Sequence, residues 1–539
     1  MKLTLGLGAF FFLALVGCSR VPRTVTAVGG PAPATEKSAG KNGGAAIQVA
    51  SDDSAPPLGE SLLATYTEIN SDKYAAPAAE FRHGHVTPRT LPASAVEKTG
   101  NGFMVKLPSG APVTTPAVYR DRVYVSGGFR SKEFYAIEAK SGKPAWGISL
   151  DDDGPSSPAC RDDVCVFGTE SCTLFAVNAN TGALLWSWWL GDPMTSAPAM
   201  ANGRVFASYP AKPRGDKPAP PNASHVIAAF ELSTGKILWQ KWLDSDVMSA
   251  PVATGGFVYL ATFGGTLVKL YEATGEIKYA IKARVTSAPV VMRAGQGKRE
   301  SMYFTSRSDD ASSAGTPKGS ATPKTQAAEE SVVHTVDNGP RVKYSSNKKA
   351  APYLDESVQS SSSYSAQGKS NDSANGFSSG APASANTKSA NTNIGQASVH
   401  TLQAFQGSRV LPVGNRIVNT MGDEILATDA ESGQKLWSFS LKGDLKREGG
   451  ALGTSPLLAG NSVFVALLAG GIIRIDPKNG ELRQTYPVSS RMRSQPVAND
   501  GWLYAGTEDG KLVAIDTKDP TVDGWPMWGG NAARTGIKP

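Results

Sequence analysis

Three of the four cysteines in this chain lie close together and could form a disulfide bond. The stretch PACRDDVC, residues 158–165, predicts a short strand, a two-residue turn at its paired aspartates and a second short strand. In that register Cys160 faces Cys165 as a non-hydrogen-bonded pair, whose close Cα approach suits a disulfide. The sequence therefore predicts a Cys160–Cys165 bond, with two buried free thiols as the alternative. Cys172 is expected to be a free thiol.

Acidic and histidine clusters are the other candidates for chemistry, here the binding of a metal ion. The run DDD at 151–153 is expected to be a solvated loop, and His83 and His85 supply two ligands without a third. No Ser/His/Asp set and no phosphate-binding loop is recognisable. The net charge of +7 comes without any basic stretch of the kind that binds nucleic acid. We therefore predict no metal site, no cofactor, no catalytic residues and no nucleic-acid partner.

A phrase built around a glycine turn and closed by tryptophan recurs along the chain. Its intact copies are AIEAKSGKPAW (136–146), AVNANTGALLW (176–186), AFELSTGKILW (229–239) and ATDAESGQKLW (427–437). Each copy alternates apolar and polar residues around the turn, which is typical of a β-hairpin. A second hairpin upstream opens on a Ser/Thr-Ala-Pro signature, and proline can start a strand but cannot occupy its middle. Two hairpins in each unit predict a four-stranded antiparallel blade.

The repeats predict an all-β fold, an eight-bladed β-propeller. The eight units begin near residues 112, 151, 191, 244, 284, 398, 442 and 488. The last unit lacks its fourth strand, whereas GFMVKL (102–107) precedes the first unit as a lone strand. An open ring would leave an edge exposed. We therefore predict that 102–107 pairs antiparallel with 511–516 and closes the ring.

The chain begins with an apolar run that is too short for a spanning helix and is typical of a signal peptide, residues 1–17. Its end, LVGC, resembles a bacterial lipobox. That resemblance implies cleavage before Cys18, acylation of Cys18 and, since Ser follows, sorting to the outer membrane. An ordinary cleaved signal peptide is the alternative. Residues 18–100 are predicted to be a largely disordered tether and 101–539 the propeller. Disordered insertions are predicted near 210–224, 309–330 and 346–397.

The repeated phrase resembles the docking motif of quinoprotein-type eight-bladed propellers, A-x-D-x-x-x-G-x-x-x-W. The resemblance implies that a Trp of one blade stacks near the glycine of its neighbour. The residues in that position are Trp146, Trp186, Trp239 and Trp437. Dehydrogenases with this fold need a Ca²⁺ ion, an Asp base and an adjacent Cys-Cys pair around the quinone, and this sequence has no adjacent Cys pair.

The lipobox, the tether and the propeller together resemble the BamB family, propeller lipoproteins of the outer-membrane β-barrel assembly machinery. The units GTSPLLAGNSVFVALLAGGIIRIDPKNGEL and SQPVANDGWLYAGTEDGKLVAID carry the resemblance, whereas the Ser-rich insertions and the C-terminal GWPMWGGNAARTG depart from it. The resemblance implies a non-catalytic scaffold that faces the periplasm. Its expected partners are periplasmic domains of a barrel-assembly subunit, with unfolded outer-membrane proteins as a further partner class. An envelope adhesion or structural propeller is the main alternative, and a quinone-dependent dehydrogenase a weaker one.

The family binds its partner through loops between blades on one face. The matching motif is an apolar-x-apolar-Arg run before Ser-Ala-Pro, with an acidic loop on a neighbouring blade. Here IKARVTSAP (281–289) supplies Ile281 and Arg284, and LDSDVMSAP (243–251) supplies Asp244 and Asp246. An interfacial Arg can bind carboxylates through two hydrogen bonds. The alternative is an ion pair between Arg284 and Asp246 within this chain.

Overall fold

Eight antiparallel sheets follow one another along the chain and form the eight blades of a β-propeller, as the repeats predicted. The computed structural model describes residues 57–81, 84–128, 130–170, 173–190, 196–293, 300–308, 329–337, 340–349, 410–445, 448 and 451–537. The innermost strands of blades 8, 1, 2, 3 and 4 contact one another in turn, as do those of blades 6 and 7. The core lies between the blades, where nearly all the apolar side chains are buried.

The first described residues form short elements that precede the blades. They are β1 (Glu60–Ser61), α1 (Leu63–Ile69), β2 (Ala76–Pro77), β3 (Glu80–Phe81), β4 (Val86–Pro88), a 3₁₀ turn (Ala93–Ala95), β5 (Val96–Thr99) and β6 (Gly102–Lys106).

Blades 1 to 4 follow in chain order, each from its innermost to its outermost strand. Blade 1 contains β7 (Ala117–Tyr119), β8 (Arg122–Ser126), β9 (Glu133–Glu138) and β10 (Pro144–Leu150). Blade 2 contains β11 (Ala159–Arg161), β12 (Val164–Gly168), β13 (Thr173–Asn178) and β14 (Leu184–Trp189). Blade 3 contains β15 (Ala199–Ala201), β16 (Arg204–Pro210), β18 (His225–Glu231) and β19 (Ile237–Leu243), with β17 (Pro213–Arg214) outside its sheet. Blade 4 contains β20 (Val252–Thr254), β21 (Phe257–Ala261), β22 (Thr266–Tyr271) and β23 (Ile277–Lys282).

Blades 5 to 8 complete the ring. Blade 5 contains β24 (Val290–Arg293), β25 (Glu300–Ser308), β26 (Glu329–Asp337) and β27 (Pro340–Lys349). Blade 6 contains β28 (Leu411–Val413), β29 (Arg416–Met421), β30 (Glu424–Asp429) and β31 (Lys435–Ser440). Blade 7 contains β32 (Leu457–Ala459), β33 (Ser462–Ala466), β34 (Ile472–Ile475) and β35 (Leu482–Tyr486). Blade 8 contains β36 (Val497–Asn499), β37 (Trp502–Gly506) and β38 (Lys511–Asp516), with β6 as its fourth strand.

The ring closes as the sequence predicted. Strand β6 pairs antiparallel with β38, in a register that sets Gly102 opposite Ile515 and Lys106 opposite Lys511. The N-terminal strand thus completes the last blade, and β38 keeps no free edge.

Residues 57–99, here called the belt, run around the outside of the ring. Their strands add to the outermost strands of four blades: β1 to β23, β3 to β14, β4 to β10 and β5 to β6. The expectation of a tether as far as residue 100 is therefore wrong for the belt. The belt is held mainly by backbone groups that pair with the open edges of the sheets. The amino-acid composition of a segment does not indicate whether its backbone finds such a partner.

The insertion at 210–224 is also structured, against the prediction of disorder. Its strand β17 pairs with β2 of the belt. The backbone N–H of Ala75 donates to the carbonyl of Pro218 (3.0 Å), and Lys217 Nζ donates to the carbonyl of Asp72 (2.6 Å). The proline-rich loop and the belt thus stabilise each other through hydrogen bonds to their backbone groups. Nearly all of the other two predicted insertions lies outside the described residues; 329–330 and 346–349 belong to β26 and β27.

Four tryptophans each dock their own blade against the next one. An added Cβ on the facing glycine would lie 2.6–2.7 Å from an indole carbon, in the pairs Trp146–Gly182, Trp186–Gly235, Trp239–Gly275 and Trp437–Gly480. Each indole N–H also donates, over 2.8–3.0 Å, to a backbone carbonyl in the same neighbouring turn. At the ring closure Phe103 takes this role and packs on Gly142. Glycine is therefore required at these turns for close approach as well as for its positive φ.

Gly275→Ala is expected to destabilise the ring much more than Gly256→Ala. Both glycines have positive φ, but an added methyl group at Gly256 meets nothing within 4 Å, whereas one at Gly275 meets Trp239 at 2.6 Å. Holding an alanine in the left-handed backbone conformation costs about 1–2 kcal/mol at either site. The clash adds about 1–3 kcal/mol at Gly275 alone. Urea unfolding of both variants measures the difference, and equal losses would show that the Trp239 contact contributes nothing.

The centre of the ring is filled by residues 524–537, here called the axial tail. The backbone N–H groups of the innermost strands donate to it in four blades. The bonds join Val118 to Pro526 (2.5 Å), Met200 to Ala532 (2.8 Å), Ala253 to Ala533 (3.0 Å) and Ala498 to Trp525 (2.8 Å). Trp525 and Trp528 are each only 1% exposed. The axial tail therefore supplies backbone acceptors to the inner edges of four blades, as the belt pairs with the outer edges of four.

Candidate partner-binding face

The predicted partner-binding residues lie on one side of the ring, here called the connection face, where the outermost strand of each blade passes to the innermost strand of the next. Residues 243–251 join blades 3 and 4, and residues 281–289 join blades 4 and 5. The turn at 262–266 of blade 4 bridges these two connections. Thr266 Oγ1 donates to Asp244 Oδ2 (2.6 Å), and the backbone N–H of Ala283 donates to the carbonyl of Gly265 (3.1 Å).

Arg284 occupies a constrained position in the second connection. Its backbone has φ of +49°, in the left-handed region, and its side chain is half-buried. The residues on either side are held: Val285 forms a β-bridge with Ser306, whose hydroxyl donates to the carbonyl of Ala283 (2.7 Å). The backbone at Arg284 is therefore held in the left-handed region, and backbone strain of this kind is often found at functional positions.

The two aspartates of the first connection differ in exposure. Asp244 is half-buried, next to the turn at 262–266. Asp246 is fully buried, where its carboxylate accepts hydrogen bonds from the Ser208 hydroxyl and the backbone N–H of Val247. Of the two predicted acidic residues, only Asp244 is therefore accessible to a partner.

Buried titratable groups surround this connection. His225 is fully buried with its Nδ1 2.8 Å from the Ser224 hydroxyl, and burial lowers its pKa, so that it is neutral at neutral pH. Tyr66 of the belt is buried on the other side, and burial, followed by the nearby Asp244 carboxylate, raises its pKa well above the ordinary value. The first connection is thus lined by polar and titratable groups, and Tyr66 of α1 packs beside it.

Ile281 is covered by the belt. Ser61 pairs with Ile281 and Glu60 with Lys282. Leu58 packs against the apolar cluster that contains Ile281. The Ile281 side chain is only 6% exposed. Of the predicted partner-binding residues, Arg284 and Asp244 are accessible, whereas Ile281 and Asp246 are not.

A second charged cluster on the connection face was not predicted. Arg491 and Arg493, before the first strand of blade 8, both bind Glu448 and Glu508. The two carboxylates raise the pKa of Arg491. A repeat alignment could have found it, because Arg491 stands five residues before Pro496 as Arg284 stands five before its proline. The carboxylates of Glu448 and Glu508 balance the positive charges of the two arginines. The cluster therefore holds blades 7 and 8 together.

The predicted hairpin carries a disulfide. Arg161 is opposite Val164 and Cys160 opposite Cys165, the predicted register, and the two sulfur atoms are bonded across a Cα–Cα distance of 4.1 Å. The short loop that it closes limits its stabilisation to about 2 kcal/mol. Cys172 lies outside the described residues, as does Cys18.

The described residues do not fit a quinone–calcium group. Within the described ranges, no three His, Cys, Asp or Glu side chains come together as metal ligands. Asp152, in the acidic run, instead accepts a hydrogen bond from Thr169 Oγ1 (2.7 Å), and His85 is exposed. No helix in the described part of the chain is long and apolar enough to span a membrane.

Comparison with known proteins identifies the repeat. The family model described as outer membrane protein assembly factor BamB matches residues 94–211, 215–298 and 421–525, more than half of the chain. The chain belongs to the BamB family. The matches include the connections that carry Arg284 and Asp244, whereas residues 57–93 and the axial tail beyond Trp525 lie outside them.

Individual relatives of this BamB family chain are distant. An outer membrane protein assembly factor BamB from Moranella endobia is 26% identical over 176 residues, 30% of this chain and 42% of the relative. A tetrathionate hydrolase from Acidithiobacillus ferrooxidans is 24% identical over 208 residues, 36% of this chain and 40% of the relative. The chain thus spans about two fifths of the length of these curated relatives. The crystal structure of BamB from Moraxella catarrhalis is 14% identical, with a TM-score of 0.45, over 80% of this chain and 97% of that one.

Proposed function

We propose that this chain is a non-catalytic scaffold lipoprotein of the outer membrane, which faces the periplasm and assists the assembly and insertion of β-barrel proteins. The observation that carries the proposal is the BamB family match across three segments of the ring. The lipobox at Cys18 supports the membrane anchor, since several acyl chains make a stable attachment. The use of Asp152 as a hydrogen-bond acceptor for Thr169 within the fold supports a structural role for the acidic run rather than a catalytic one.

The connection between blades 4 and 5 is the proposed binding site for a periplasmic domain of the barrel-forming subunit. The backbone of Arg284 is held by its neighbours, and a guanidinium can bind a carboxylate through two hydrogen bonds. Asp244 on the adjoining connection supplies an opposite charge. A pair of opposite charges at fixed spacing selects a partner by charge complementarity.

Arg284→Glu is expected to reduce co-purification of the barrel-forming subunit from detergent-solubilised membranes by about tenfold or more, because reversing the charge of a central interfacial arginine costs several kcal/mol. The variant should still fold cooperatively, because Arg284 lies in a connection at the surface and not in the core between the blades. Affinity purification with quantitative mass spectrometry measures the first effect and circular dichroism the second.

Lys236→Glu is the matched control. Lys236 is an exposed cation in the turn before β19, on the opposite face of the ring. Its charge reversal should leave co-purification intact. Equal losses in both variants would remove Arg284 from the site. A wild-type preparation that captures no barrel-assembly subunit would instead favour the adhesion or structural propeller.

A further inference from the structure

We infer that the first strand of the belt, residues 57–62, is a displaceable cover over the partner site, which an extended segment of the partner replaces on β23. The inference rests on the proposed function, because the covered residues include the predicted Ile281. The cover ends at Leu62, whose backbone N–H donates to the carbonyl of Ala280 (2.7 Å).

The cover is held by few contacts. Strand β1 pairs through only two residues, Glu60 and Ser61, and both are exposed. The next residues are held much better. Tyr66 is buried against blades 3 and 4, and Asn70 Oδ1 accepts from the backbone N–H of Trp242 (2.7 Å). A short exposed strand beside a firm anchor opens locally at low free energy while the rest of the belt stays in place.

The contacts of the cover indicate which kind of partner segment can replace it. Leu58 is half-buried against the apolar cluster of Ile281, and Glu60 lies opposite the exposed Lys282. Gly59 between them is closely packed, since an added Cβ would lie 2.2 Å from the carbonyl oxygen of Lys282. A replacing segment is therefore extended and pairs with β23 through its backbone. It carries an apolar residue two positions before an acidic one, with a small residue between them.

A partner segment that displaces the cover from β23 also comes close to Arg284. Strand β23 ends at Lys282, two residues before Arg284, so that a partner on β23 reaches the guanidinium in the same contact. While the cover is closed, the apparent affinity of the partner is reduced in proportion to the open fraction. The belt segment concerned lies outside the three segments that match the family model.

Gly59→Val in the full-length protein tests the cover, because the larger side chain forces β1 off β23. Hydrogen exchange of the peptide 277–282 should become faster, and co-purification of the barrel-forming subunit should rise about tenfold if the cover is closed nine-tenths of the time. Leu58→Asp, which removes the apolar contact instead, should act in the same direction. Arg284→Glu added to Gly59→Val should abolish the gain.

Gly84→Val is the matched control. It makes the same substitution where the belt crosses blade 2, with an added Cβ 2.7 Å from Phe175, and leaves β1 in place. It should change neither exchange at 277–282 nor co-purification. If the wild type captures the subunit, faster exchange in Gly59→Val without more co-purified subunit overturns the cover, as does unchanged exchange in both cover variants. If wild type and every variant capture no subunit despite faster exchange, the proposed function fails and the inference with it.

Discussion

Arg534→Met is expected to lower the free energy of unfolding by about 3–5 kcal/mol, because several buried carbonyl groups lose a charged donor at once. The guanidinium is 0% exposed and donates to the carbonyls of Trp528 (2.7 Å), Ser157 (3.1 Å) and Pro198 (3.2 Å). Ser157 and Pro198 precede the innermost strands of blades 2 and 3. Arg534 thus joins the axial tail to both blades at the points where the chain enters them.

Urea-induced unfolding followed by tryptophan fluorescence measures the loss, since Trp525 and Trp528 of the axial tail are buried reporters. Arg161→Met is the control. That arginine lies at the surface, 3.5 Å from Asp162, and its replacement should change stability by no more than about 0.5 kcal/mol. Unfolding curves that coincide for the two variants would show that the axial tail does not stabilise the ring.

Glu300→Ala is expected to cost about 3–5 kcal/mol, because it leaves a buried ammonium group without its carboxylate. Lys269 is 0% exposed and lies 2.8 Å from Glu300 across the seam between blades 4 and 5. The Tyr259 hydroxyl donates to the same carboxylate. The ammonium also lies 4.3 Å from the centre of the Phe257 ring, which supplies a further favourable contact with the cation.

The double variant Lys269→Met/Glu300→Gln should recover most of that loss. It removes both charges together and keeps an acceptor for the Tyr259 hydroxyl, and buried ion pairs often contribute little more than apolar groups of the same size. Thermal and urea unfolding of the wild type, Glu300→Ala, Lys269→Met and the double variant complete the cycle. A double variant less stable than Glu300→Ala alone would contradict this account of the seam.

The candidate site was predictable only in part. Repeat spacing identified the connection that carries Arg284 and the neighbouring acidic loop, because each Ser-Ala-Pro marks the entry to an innermost strand. Exposure was not predictable, since Asp246 binds inward to Ser208 whereas Asp244 stays near the surface. The pairing of Ser61 with Ile281 joins segments far apart in sequence, and no local pattern indicates it.

The sequence by itself determined the blades, their number and the closure of the ring. Alternation, turn glycines and proline positions are local features, and blades 1 to 7 are made of hairpins that are neighbours in sequence. The eighth repeat lacks a fourth strand, and the lone strand before the first repeat supplies it. It also determined the hairpin register at Cys160 and Cys165, because a two-residue turn leaves one register. Only the tertiary structure decided how the belt, the proline-rich loop and the axial tail are used. Their bonds run mostly from backbone to backbone across long sequence separations, and backbone groups have the same chemistry whatever the residue.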